Sequence, residues 1–125
     1  MAGKRILVAD DDHRALDSLV KRLKELDYEV MAFSNGSEAI ENSRIFSPDL
    51  LILDILMPDV DGYSVVRAIR EDKNLENVPV IFITAQDLEH TFMQKRVTEI
   101  GSCDFMNKFR SFDELLAKIR EKIGS

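Results

Sequence analysis

The sequence predicts a doubly wound α/β fold, a five-stranded parallel sheet with helices on both faces. Three observations predict it. Aliphatic residues come in solid runs at Ile6-Leu7-Val8-Ala9, Leu50-Leu51-Ile52-Leu53 and Val80-Ile81-Phe82-Ile83. Strands buried on both faces read this way, whereas half-exposed strands alternate. Between the runs, apolar residues recur at helical spacing, and the connections are short.

Each element follows from local signals. The first strand is Ile6 to Ala9, and the next helix carries Leu16, Leu19, Val20, Leu23 and Leu26 on one stripe. Asp12 is placed to cap that helix, because its carboxylate can accept from free backbone N–H groups. Glu29 to Phe33 is a shorter second strand, Asn35-Gly36 breaks the chain, and Ser37 to Phe46 is helical. Leu50 to Asp54 is the third strand. Turn-rich Met57-Pro58-Asp59-Val60-Asp61-Gly62 follows, with Asp61 capping a helix over Tyr63 to Glu71 that turns Val65, Val66 and Ile69 inward. Asp72, Lys73, Asn74, Glu76 and Asn77 make a solvated loop. Val80 to Thr84 is the fourth strand. Asp87 to Ile100 is a helix with Met93, Val97 and Ile100 inward, ended by Gly101. Phe105 to Lys108 is the fifth strand. Ser111 and Glu114 form a capping box for a last helix burying Leu115, Leu116, Ile119 and Ile123. For such a chain the natural topology is a flavodoxin-like three-layer α/β/α sandwich with strand order 2-1-3-4-5.

The chain's 125 residues fit one domain spanning 1–125, and 45% hydrophobic content is enough for a core. A net charge of −6 repels nucleic-acid phosphates, so direct DNA or RNA binding is not expected. No apolar stretch approaches the roughly 20 residues of a membrane span. The single cysteine, Cys103, forms no internal disulfide, and the short apolar run after Lys4-Arg5 stops at three aspartates without a signal cleavage site. A cytoplasmic location is the expectation.

In a doubly wound sheet the functional crevice lies beyond the carboxyl ends of the strands, where strand order reverses. That point falls between strands one and three. Strand one ends in Asp10-Asp11-Asp12, strand three in Asp54, strand four in Thr84 and strand five in Lys108. Asp54 is embedded in aliphatic neighbours, where an ionised carboxylate is costly unless compensated. Adjacent carboxylates repel, and a hard divalent cation such as Mg²⁺ relieves that repulsion. Thr84 and Lys108 bring hydroxyl and ammonium donors suited to phosphoryl oxygens. A carboxylate nucleophile, a metal and a cation around one phosphoryl group make an aspartyl-phosphate site.

At these residues the sequence resembles the receiver domain of two-component response regulators. The match runs over nearly the whole chain, from ILVADDD through LLILDILMPDVDG and VPVIFITA to the last helix. The resemblance implies phosphorelay signalling. Asp54 would be the phosphoacceptor, taking the group from a histidine kinase or a histidine phosphotransfer protein. Mg²⁺ would be held by Asp11, Asp54 and the backbone carbonyl of Leu56, with Asp10 beside it or acting through water. Lys108 would bind the phosphoryl group, Thr84 would move toward it and Phe105 would turn inward. The face made by the fourth helix, fifth strand and fifth helix would then favour a downstream effector, and a homodimer would use the same face. Such a domain catalyses its own phosphorylation without being a conventional enzyme.

Two departures stand out. The family usually has Lys-Pro at strand five, often cis, and here it is Lys108-Phe109. A cis bond is much costlier before a non-proline, so either the site bears that strain or Lys108 approaches from a trans peptide. The segment from Thr84 to Gly101 is also about two residues longer than usual for the family, in the region where partners are read. Leu56 and Gln86 occupy positions that in this family govern the hydrolytic water, and an apolar Leu56 cannot orient it.

Competing readings differ in named residues. Asp10 to Asp12 could be only a helix cap, Thr84 an ordinary strand residue, Lys108 a solvated edge charge and Phe105 a core aromatic. A receiver-like interaction module without phospho-switching is the first alternative, permitted by Phe109. A phosphatase of the haloacid dehalogenase type wants a second acid two residues after its nucleophile, and that position is Leu56. A flavin carrier lacks a Ser/Thr-rich phosphate loop after strand one. Asp59, Asp61 and Gly62 fail as an EF-hand because Met57 and Ala68 fall at positions needing acids. His13, His90 and Cys103 have no matching ligands nearby in sequence. The chain reads as either a stand-alone regulator or the receiver part of a longer protein.

Overall fold

The structure is a computed structural model that describes residues 3–85, 103–108 and 111–124. In chain order the elements are β1 (Arg5–Ala9), α1 (His13–Glu25), β2 (Glu29–Phe33), α2 (Gly36–Phe46), β3 (Leu50–Asp54), α3 (Gly62–Ile69), β4 (Val80–Thr84), β5 (Asp104–Asn107) and α4 (Phe112–Ile123). The strands form one parallel sheet in the order β2-β1-β3-β4-β5, as expected. The predicted helix over 87–100, with Gly101, Gln86 and His90, lies outside the described residues, as do Phe109 and its peptide bond to Lys108.

Why the central strands read as continuous apolar runs is visible in the packing. Leu7, Ala9, Leu51, Leu53, Val80 and Phe82 face one way, onto Ala39 of α2 and Val65, Val66 and Ile69 of α3. Ile6, Val8, Leu50, Ile52, Ile81 and Ile83 face the other way, onto Leu16 and Leu23 of α1 and Leu115 and Ile119 of α4. Each Val, Leu, Ile or Phe fully buried in these two layers contributes on the order of 1.5–3 kcal/mol. The layers leave the carboxyl end of the sheet as its polar edge.

Local chemistry sets the helix starts. Asp12 accepts from the Arg14 and Ala15 amides at the head of α1, and Asp61 accepts from the Ser64 amide at the head of α3. Ser111 accepts from the Glu114 amide at α4. Several expectations shift: α3 runs from Gly62 to Ile69 and so stops two residues short of Glu71, while β1 and α2 each start one residue early, at Arg5 and Gly36. Leu26 is exposed and lies past the end of α1, where the chain turns through Asp27 at positive φ, so it is not part of the buried stripe. In α4, Leu116 and Ile123 are only partly buried. The fifth strand starts one residue earlier, at Asp104, whose carboxylate pairs with Lys122 of α4 at 2.8 Å, and it ends before Lys108.

Candidate functional site

β1 and β3 are adjacent in the sheet, with Ala9 level with Leu53, so the residues that follow them emerge side by side. Carboxylate oxygens of Asp10, Asp11 and Asp54 all lie within 4.8 Å of one another. Asp10 is 1% exposed and Asp54 4%, whereas Asp11 is exposed and forms the open side of the cluster. Asp10 is held down by two bonds with the backbone. Its amide donates to the Phe33 carbonyl, and its Oδ1 accepts from the Asp12 amide at 2.9 Å.

Lys108 arrives from the far side of the sheet. Its amide donates to the Thr84 carbonyl at 2.8 Å, which continues the β4–β5 ladder one step and aims the side chain at the switch point. The ammonium then donates to Asp10 Oδ1 and to Asp54 Oδ2, each at 2.9 Å. Asp54 Oδ1 accepts from the Leu56 amide at 3.3 Å. The Asp54 carboxyl is pushed up to about 6, first by burial and next by the Asp10 charge, against the lowering bond from Lys108. Burial alone would lower Lys108, but its bonds to the two carboxylates outweigh that and raise it.

Three carboxylates facing one ammonium leave excess negative charge in a largely buried place. Asp10 Oδ2 is buried and accepts no hydrogen bond, which leaves this hard-oxygen donor available to a cation. The donor set therefore fits a divalent cation preferring oxygen ligands.

Other predicted residues fall as follows. Thr84 ends β4 and is fully buried, and its carbonyl seats Lys108. Leu56 is 53% exposed and adjoins Asp54 through its amide. Phe105 is half-buried, stacked on Phe82 at 5.3 Å between ring centroids and 6.4 Å from Tyr63. His13 is exposed, and Cys103 is half-buried against the α2–α3 side of the core, where burial raises its thiol.

The loop after Asp54 is folded back tightly. Gly62 donates to the Ile55 carbonyl at 2.8 Å, and a Cβ on Gly62 would stand 2.6 Å from the Asp54 carbonyl oxygen. Sequence reasoning missed Asp59, which it weighed only as a failed calcium ligand. Its carboxylate reaches across to the Gly36 and Ser37 amides, at 3.0 and 2.9 Å. A turn-rich loop facing a helix start was the only hint.

An acidic cluster bridged by lysine at the switch point of a 2-1-3-4-5 sheet defines a class of signalling domain. Residues 6–120 match the response regulator receiver domain, and the chain belongs to that family. It is 35% identical over 93% of its length to the sensory transduction protein BceR of Halalkalibacterium halodurans. It is 33% identical over 94% of its length to the alkaline phosphatase synthesis transcriptional regulatory protein PhoP of Bacillus subtilis. It covers 48% of each of these two proteins, so the chain spans about half the length of these relatives. Among solved structures, the non-phosphorylated HemR receiver domain from Leptospira biflexa superposes with a TM-score of 0.84 at 30% identity, covering 98% of this chain and 95% of that one.

Proposed function

We propose that this receiver domain accepts a phosphoryl group on Asp54 and signals through the change of surface that follows. The carrying observation is the single Lys108 ammonium that bridges Asp10 Oδ1 and Asp54 Oδ2 inside a buried carboxylate cluster. The donor is a phosphohistidine on a histidine kinase or phosphotransfer protein. An Asp54 oxygen forms the new P–O bond as the P–N bond breaks, and the imidazole leaves with the electron pair and takes up a proton. With its pKa near 6, Asp54 is mostly ionised at neutral pH and can attack.

Lys108 exchanges one carboxylate contact for the incoming phosphoryl oxygens, and Thr84 supplies a hydroxyl to them. Mg²⁺, when bound, neutralises charge on the transferring group. Asp10, Asp11 and Asp54 would hold it with the Leu56 carbonyl. Asp10 and Lys108 also line a groove between α1 and α4, with Ala15, Ser18, Leu19 and Phe112. Phosphorylation biases two packings of the domain by a few kcal/mol, with Thr84 and Phe105 moving together. The surface read by an effector, or by a second copy, includes β5 and α4; the predicted helix over 87–100 that would complete it lies outside the described residues. Residues 1–125 act as one domain in the cytoplasm; among the described residues no helix is long and apolar enough to cross a membrane.

The test is incubation with Mg²⁺ and acetyl phosphate followed by intact mass. The expected result is a gain of one phosphoryl group, lost in Asp54→Asn and on chelation. Turnover of phosphate esters would favour a phosphatase instead, and no adduct would favour a module that only binds partners.

A further inference from the structure

We infer that Asp59 is a positioning residue for the proposed cation site: by clamping the loop over residues 55–61 to the head of α2, it keeps Leu56 beside Asp54. The inference rests on the reading of the site given above.

The first backbone N–H groups of a helix have no partner within it. At α2 they are shared between two side chains. Asn35 accepts from the Glu38 amide, as an ordinary cap does. The Gly36 and Ser37 amides turn instead to Asp59, more than twenty residues on in sequence. Hydrogen bonding from Ser37 and from the Gly36 amide holds this carboxylate well below the usual carboxylate range. A negative charge at a helix N-terminus is itself favourable.

The same contact is closely fitted. A Cβ on Gly36 would come within 2.7 Å of both the Val60 carbonyl oxygen and Val65 Cγ2, so only glycine admits the loop this close. The loop's two ends are fixed already. At one end Ile55 donates to Ile83 and accepts from Gly62; at the other Asp61 caps α3. Between them, Leu56, Pro58 and Asp59 are exposed and Met57 is buried. Asp59 thus ties the exposed part of the loop to the head of α2, three residues from Leu56, whose own amide bonds Asp54 Oδ1. Groups that orient metal ligands from behind are typically worth about 10–100-fold in metal affinity.

The experiment titrates Mg²⁺ alone into the full 125-residue chain, following amide chemical shifts at residues 54–60, well below the thermal midpoint. Wild type is compared with Asp59→Ala, Asp59→Asn and, as a control on the opposite end of α2, Arg44→Ala. The expected result is a Mg²⁺ dissociation constant raised about tenfold in Asp59→Ala, less in Asp59→Asn, which keeps one acceptor, and unchanged in Arg44→Ala. A lowered thermal midpoint with wild-type Mg²⁺ affinity in Asp59→Ala overturns this inference alone, because the clamp would then be only structural. Failure of the wild-type chain to bind Mg²⁺ overturns the cation site itself and the inference with it.

Discussion

Replacing Asp54 by asparagine removes the ionisable group at the centre of the site while keeping its shape. In the metal-free domain the Asp54 carboxyl titrates near 6 against 3.8 for an unperturbed one. The folded state therefore binds more protons than the unfolded state between those values. Its contribution to stability is fully present below about pH 4 and is lost as pH rises through 6. The whole window is worth about 3 kcal/mol at 1.36 kcal/mol per pKa unit. Between about pH 4.5 and 7.5 roughly 2 kcal/mol of it is traversed. The groups facing Asp54 are Asp10, Asp11 and Lys108, and they remain in the variant. Urea denaturation of both proteins in EDTA, at these two pH values, isolates the term as a difference of differences. Wild type should lose about 2 kcal/mol relative to Asp54→Asn on going to the higher pH. Equal pH dependence in the two proteins would refute the reasoning, since burial and the Asp10 charge would then not be acting on residue 54.

Two further outcomes follow from the loop after β3. Gly62→Ala places a methyl 2.6 Å from the Asp54 carbonyl oxygen, and the forced shift should destabilise the domain by about 1–3 kcal/mol, measured as a lowered urea midpoint. Leu56, exposed and apolar beside Asp54, gives a hydrolytic water nothing to hold. Leu56→Asn should shorten the life of the phosphoryl group on the order of tenfold, followed by loss of the mass adduct after donor removal.

What was legible in the sequence was whatever depends on periodicity and on strand ends. β2, β3 and β4 run over the predicted residues, because each is bounded by a turn signal and two of them are apolar up to their last residue. The meeting of Asp10, Asp11 and Asp54 followed from topology alone, since strands one and three must adjoin in the order 2-1-3-4-5. The start of β5 was not legible, because Asp104 joins the strand by pairing level with Ile81 of β4, and its ion pair with Lys122 is likewise a contact that no local pattern encodes. Asp59 escaped for the same reason on a larger scale. Its partners are two amides of a distant helix, and only the folded chain brings them within reach.

The most direct test of the central claim is to find where phosphorus goes. The chain is phosphorylated by acetyl phosphate with Mg²⁺, then treated with borohydride, which reduces an aspartyl phosphate to homoserine. Peptide mass mapping should find homoserine at residue 54 and aspartate retained at 10 and 11. Homoserine at another position, or at none while the protein is demonstrably folded and bound to Mg²⁺, would contradict the account.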